Sequence, residues 1–271
     1  MVQLFEKSIR KNEIQSSKGN QLKWENDGLW YKADYTGYEG LAEYVISHLL
    51  RKSTLSENEY VLYDLEEIRY NSVVYNGVKS RNFLHDDWQV ITLERLFKSF
   101  FGESLNRIIY SIENYENRLK VIVTEVERRT GLKNFGVYMS KLLTIDAFFL
   151  NEDRHTHNIA VLMGGNGNFE YCPIFDNGAA LLADTTMDYP LDEDVYKLMG
   201  QVKAKTICTN FDEQLDVAER MYGVNITFSF NEKDVCEILD KATIYSEDVR
   251  ARVKDIIFSQ MRKYGYLFRG K

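Results

Sequence analysis

Apolar residues recur at helical spacing from Tyr38 to Leu50, where Tyr38, Leu41, Ala42, Val45, Ile46, Leu49 and Leu50 form one stripe and Glu39 and Glu43 share another face. Before that helix, residues 13 to 34 read as a hairpin. Ser16-Ser17-Lys18-Gly19-Asn20 is the turn cluster, and Gly28 to Asp34 is a strand in which Leu29, Tyr31 and Ala33 alternate, so Lys32 points to the opposite face. After the helix, Tyr60 to Tyr63, Ile68 to Tyr75 and Val78 to Leu84 read as strands, with Asn76-Gly77 as a hairpin turn. Beyond His85-Asp86-Asp87 the period changes. Leu93 to Phe97 opens a helix, Leu105 to Thr130 carries one or two more, and Phe135 to Leu150 is apolar nearly all round, the mark of a buried helix.

That helix delivers the chain into Asn151-Glu152-Asp153-Arg154-His155-Thr156-His157-Asn158. A second hairpin follows, from Ile159 to Met163 and from Phe169 to Phe175 around Gly164-Gly165-Asn166-Gly167-Asn168, and it ends in Asp176-Asn177-Gly178. Ala183 to Pro190 is helix-poor. Glu193 to Phe268 is helical, with Asn231 capping a helix through Asp240 and Ser246 capping the last one. The order of elements predicts an α+β chain of two lobes, a small β-rich one over residues 1–84 and a mainly helical one over 85–271.

Composition adds exclusions. Apolar residues at 44% and charged residues at 28% are ordinary for a globular chain of 271 residues, and a net charge of -7 argues against direct nucleic-acid binding. Arg250, Arg252, Lys254, Arg262, Lys263, Arg269 and Lys271 face only Asp255 and read as a solvated helix face. Cys172, Cys208 and Cys236 form neither a disulfide framework nor a zinc motif and read as small core residues. No apolar run spans a bilayer and no signal-like start is present, which makes the cytoplasm the expected location and a membrane an unexpected partner.

The chemistry gathers around Asp153. Asp153 and Asn158 lie five positions apart on one loop, and Asp176 lies beyond a hairpin. Phosphoryl transfer needs a carboxylate near the attacking hydroxyl and hard oxygen ligands for Mg²⁺, and this layout supplies both. Lys32 on its strand and Glu43 on the following helix, with Glu39 as second choice, can form the ion pair that aims a phosphate-contacting lysine.

Set together, these segments resemble the HipA-like serine/threonine protein kinases, which are distantly similar to phosphoinositide kinases. Ser16 to Lys23 resembles that family's S-x-x-G-x-Q-x-K phosphate loop, and Asp153 to Asn158 its D-x-H-x-x-N catalytic loop. The resemblance implies a two-lobed protein-kinase-like fold and transfer of the γ-phosphoryl group of ATP, with Mg²⁺, to a protein Ser/Thr hydroxyl. It implies Asp153 as base, Asn158 and Asp176 as metal ligands, Lys32 on the nucleotide's phosphates, and Gly19, Gln21 and Lys23 covering them. Arg81-Asn82-Phe83 resembles the hinge segment, Ser16 matches an autophosphorylated serine, and a toxin–antitoxin relation with an antitoxin-like regulator is the partner the family suggests. The longer N-terminal region of the family's toxins is missing here.

Three other readings compete. His155 and His157 with Glu152, Asp153 and Asp176 could hold the metal of a hydrolase, but this leaves Lys32 and Glu43 without a role. In the kinase reading His155 braces the loop, His157 lies at the surface, and Arg154 neutralises a neighbouring carboxylate or the Ala183–Pro190 stretch. A kinase fold that has lost catalysis is opposed by the presence of Lys32, Asp153, Asn158 and Asp176 together. A kinase of a small-molecule or lipid hydroxyl is opposed by Asn151-Glu152 standing where such enzymes usually place His-Gly.

Overall fold

The structure, a computed structural model, describes residues 1–5 and 21–268. Two strands, β2 (Lys23–Asn26) and β3 (Leu29–Ala33), form a hairpin whose turn is Asp27-Gly28, both at positive φ. The turn expected at Ser16 to Asn20 lies outside the described residues. Helix α1 (Glu39–Leu50) follows, buried on nearly every side. Then β4 (Asp64–Tyr70) and β5 (Val73–Arg81) complete, with the two-residue β1 (Val2–Gln3), a five-stranded sheet in the order β1-β4-β5-β3-β2.

Two strand expectations are corrected. The β4–β5 turn is Asn71-Ser72, at φ 48° and 66°, which is the left-handed pair a tight hairpin needs. Asn76-Gly77 lies inside β5 instead. A Cβ on Gly77 would stand 2.2 Å from the Lys32 carbonyl oxygen, so the glycine is there for close approach of β3 rather than for a turn. Tyr60 to Tyr63 is no sheet strand either. It runs past Ile174, with one bridge from Tyr60 and the Val61 N–H donating to the Ile174 carbonyl.

One face of the sheet carries a small cluster of Leu4, Trp24, Tyr31, Ala33 and Ile68. The other face meets α1 and joins the main core. The alternation read along β3 therefore sorts its side chains as expected, with Tyr31 and Ala33 in the small cluster and Lys32 opposite.

The helical part begins with a strand the sequence reading missed, β6 (Trp88–Thr92). It pairs with β7 (Ala160–Gly164), which pairs in turn with β8 (Phe169–Tyr171). The helices are α2 (Leu93–Phe101), α3 (Leu105–Tyr110), α4 (Tyr115–Thr130), α5 (Phe135–Phe149), α6 (Val195–Met199), α7 (Phe211–Tyr222), α8 (Glu232–Asp240) and α9 (Glu247–Lys263). Asn231 caps α8 in a reciprocal box with Asp234, and Ser246 caps α9. Among the described residues no helix is long and apolar enough to cross a membrane.

The basic face expected at the C-terminus is corrected at Arg252. Its side chain is buried and donates to the carbonyls of Tyr189 and Pro190, fastening the irregular stretch after residue 183 to α9. The architecture is α+β and two-lobed, a curled sheet with its helix packed on a larger helical body.

Candidate active site

α5 ends at Leu150, which takes the left-handed conformation at φ 56°; Asp176, Leu181 and Leu182 share it at 61°, 55° and 57°. A bulky leucine in this region is strained, an aspartate much less so, and such residues gather where a site over-determines its backbone. Here they bracket the two loops that hold the expected catalytic groups.

The centre of those loops is Arg154. It is buried to 1% exposure, and its Nε lies 3.1 Å from both carboxylate oxygens of the fully buried Asp146 on α5. Its remaining nitrogens donate to the carbonyls of Asn158 and Phe175 and to Asn177 Oδ1. One guanidinium thus ties the helix, the loop of Asp153 and the loop of Asp176 together with hydrogen bonds in the fork geometry only arginine offers. Burial pushes the Asp146 carboxyl up to about 6 against the pull of Arg154 and Asn151.

From β3, Lys32 reaches Glu43 Oε1 of α1 at 2.5 Å and Asp176 Oδ1 at 2.9 Å, with the Tyr63 ring 5.0 Å away. Burial alone would lower the ammonium's pKa, but Asp176 and Glu43 outweigh it and hold it well above the ordinary value. The other Glu43 oxygen accepts the Asn177 N–H. Lys23, opposite Lys32 across the hairpin, lies 3.8 Å from Asp176 Oδ1. Burial lowers its pKa, Asp176 opposes this and Lys32 adds to it. For Asp176 burial works upward, yet Lys23, Lys32 and Arg154 hold the carboxyl well below the usual range.

Asn158 donates its amide to the Asp153 carbonyl at 2.9 Å and to Asp153 Oδ2 at 3.2 Å. This turns Asn158 Oδ1 the other way. Among the described residues, Asn158 Oδ1 and Asp176 Oδ2 are both buried and without a hydrogen-bond partner, and both residues line one cleft with Asp153, Gln21, Glu39 and Asp184. Two such oxygens in one cleft suit a hard divalent cation, which takes oxygen ligands and removes the cost of leaving them unsatisfied.

The structure brings Gln21, Lys23, Lys32, Glu43, Asp153, Asn158 and Asp176 together. Ser16 and Gly19 lie outside the described residues. Arg81, Asn82 and Phe83 connect the two sheets beside this cleft rather than in it: the Asn82 N–H donates to Gly28, Phe83 packs on Phe175, and Arg81 and Phe83 line a separate cavity of about 790 Å³. Glu39 is occupied by its own helix start, accepting the N–H groups of Tyr35, Thr36 and Gly37. His155 Nδ1 accepts the His157 N–H, and among the described residues no group of three His, Cys, Asp or Glu is arranged to hold a metal, so the hydrolase reading finds no geometry.

Asp146, Asn151, Asn177, Tyr63 and Arg252 were not foreseen. Asp146 had a signal: a lone carboxylate inside a helix apolar all round requires a buried partner, and Arg154 follows eight positions later.

The chain superposes on the crystal structure of the Helicobacter pylori proinflammatory kinase CtkA with a TM-score of 0.64, at 15% identity, over 98% of this chain and 96% of that one. HipA of Shewanella oneidensis MR-1, solved with HipB and its operator DNA, aligns at a TM-score of 0.42 and 12% identity over 95% of this chain and 67% of that one. No protein-family model and no curated protein sequence matches the chain. The fold is thus one that this chain shares with a kinase.

Proposed function

We propose that this protein is a HipA-like serine/threonine protein kinase, one that transfers the γ-phosphoryl group of ATP to a protein hydroxyl with Mg²⁺. The observation that carries the reading is Lys32 held between Glu43 and Asp176, with the two unpartnered oxygens of Asn158 and Asp176 in the same cleft as Asp153. In this reading the Asn158 and Asp176 oxygens hold the metal, which neutralises charge on the phosphates when bound. Lys32 and Lys23 receive the phosphate oxygens, and Asp153 orients the acceptor hydroxyl and takes its proton. Asn158 fixes the Asp153 carboxylate through its amide. The fold shared with the Helicobacter kinase supports the class of reaction. The protein acceptor, an autophosphorylated Ser16, Arg81–Phe83 at the adenine and an antitoxin-like regulator rest on the sequence resemblance.

The test is transfer of labelled phosphate from ATP with Mg²⁺, to the protein itself or to an added protein, in the wild type and in Asp153→Ala and Asp176→Ala. Labelling on Ser or Thr that both variants abolish, at unchanged circular dichroism, is the expected result. Transfer retained in both variants rules the site assignment out. Mass spectrometry of the labelled wild type, with Ser16→Ala beside it, decides whether Ser16 is an acceptor.

A further inference from the structure

A positive charge on the acceptor side of the transferred group would stabilise the proposed transition state, whereas Lys32 and Lys23 lie 2.9 and 3.8 Å from Asp176 Oδ1. Arg154 is sequestered against Asp146. Among the described residues two basic side chains approach Asp153 Oδ1: His155, whose Nε2 lies at 3.7 Å and is charged only when protonated, and a lysine from a different part of the chain. Lys205 Nζ lies 3.9 Å from Asp153 Oδ1, with a side chain 44% exposed.

The segment carrying it is built to aim it. Val202, Ala204 and Thr206 are buried while Lys203 and Lys205 alternate outward. Thr206 Oγ1 donates to the Arg154 carbonyl at 2.6 Å, which fastens the segment directly to the loop of Asp153. On its other side the Tyr110 hydroxyl donates to the Lys205 carbonyl and Arg118 to the Ile207 carbonyl. A surface lysine serving only solubility has no use for a backbone pinned on both sides. At 3.9 Å the ammonium is beyond hydrogen-bond length from Asp153, and its four-carbon stem leaves it free to turn to an oxygen lying beside that carboxylate.

We infer that Lys205 is a catalytic residue of the proposed kinase, contacting the transferred phosphoryl group on the side of the acceptor hydroxyl. The inference rests on the kinase reading of the cleft. As the acceptor oxygen bonds to the γ-phosphorus, the bond from that phosphorus to the ADP oxygen breaks and ADP leaves with the electron pair. The hydroxyl proton passes to Asp153, and Lys205 stays protonated throughout. Its charge offsets the repulsion between the Asp153 carboxylate and the phosphoryl oxygens that must pass close to it. A cation of this kind acts most strongly in the transition state, where charge spreads over the equatorial oxygens.

The experiment compares wild type, Lys205→Met and Lys205→Arg in steady-state transfer. In parallel, thermal shifts are measured with Mg²⁺–ADP and with Mg²⁺–ADP plus aluminium fluoride, a mimic of the transferring group. Lys205→Met is expected to melt with the wild type and to keep the ADP shift and the KM for ATP. It loses kcat by about 10²- to 10³-fold, as removal of a single transition-state donor does, and it loses the extra shift given by aluminium fluoride. Lys205→Arg recovers most of both. A Lys205→Met variant within threefold of an active wild type, with the extra shift intact, overturns the assignment alone. A wild type with neither transfer nor a nucleotide-dependent shift overturns the kinase reading and this inference together.

Discussion

Replacing Arg154 with Met tests whether one buried guanidinium holds the two site loops in place. The substitution keeps most of the volume and removes the charge. It leaves the Asp146 carboxylate at 0% exposure without its cation and the carbonyls of Asn158 and Phe175 without this donor, and it leaves the side-chain oxygen of Asn177 only the longer hydrogen bond from the Asn151 amide at 3.5 Å. Breaking a buried ion pair from one side costs about 3–5 kcal/mol, against a total stability of about 5–15 kcal/mol for a folded domain. For a chain of this size each kcal/mol moves the melting point by about 2–4 °C, so a fall of about 10 °C is expected. Urea unfolding followed by circular dichroism gives the loss directly. Asp146→Leu and the double variant Arg154→Met/Asp146→Leu close the cycle. The double variant removes both charges and should be more stable than the sum of the single losses predicts, by about 2 kcal/mol or more. A single-variant loss under about 1 kcal/mol, or strict additivity in the double, would show that Arg154 does not carry the load assigned to it.

Gly77→Ala puts a methyl group 2.2 Å from the Lys32 carbonyl oxygen; overpacking of this kind costs about 1–3 kcal/mol, and because the displaced residue is Lys32 the variant should lose phosphoryl transfer along with melting temperature. Asp34 accepts the Gly40 N–H and the Tyr245 hydroxyl, and burial, then Glu39, raise its carboxyl from 3.8 to about 8. The folded state therefore binds the extra proton, a contribution that is full below pH ~4 and disappears as pH rises to about 8. Asp34→Asn should flatten the fall in stability across that window, and equal slopes for variant and wild type in melts at stepped pH would count against it. Arg252→Met frees the Tyr189 and Pro190 carbonyls and should speed limited proteolysis between Ala183 and Leu191 without altering cleavage elsewhere.

Periodicity sufficed where one face of an element is buried and the other is not, as in β3, or where burial is complete, as in α5. It failed where local chemistry has two uses. Asn76-Gly77 is a strong turn signal, yet the glycine serves approach between strands, and Asn71-Ser72 turns the chain instead because both residues accept positive φ. β6 was hidden because only Ile91 in it is buried, so no clear alternation shows before α2 begins. Within the site, the residues proposed to meet ligands can be picked out from spacing, since the proposed chemistry fixes their types and order. Asn177 and Arg252 act through their side chains on protein groups 23 to 63 positions away, and no spacing rule records such a partnership.

The charges of the site suggest why so polar a cluster is tolerated without a ligand. Glu43 has Lys32 at 2.5 Å, Asp176 has Lys32 at 2.9 Å, Asp146 has Arg154 at 3.1 Å and Asp153 has Lys205 at 3.9 Å. Among the described residues each of these four carboxylates has a basic side chain within 4 Å. The pairs of Lys32 and Arg154 are at hydrogen-bond length, whereas Lys205 stands farther from Asp153. In the proposed reaction this longer separation lets the exposed Lys205 ammonium turn from the carboxylate to a phosphoryl oxygen beside it, a freedom that a salt bridge at hydrogen-bond length lacks.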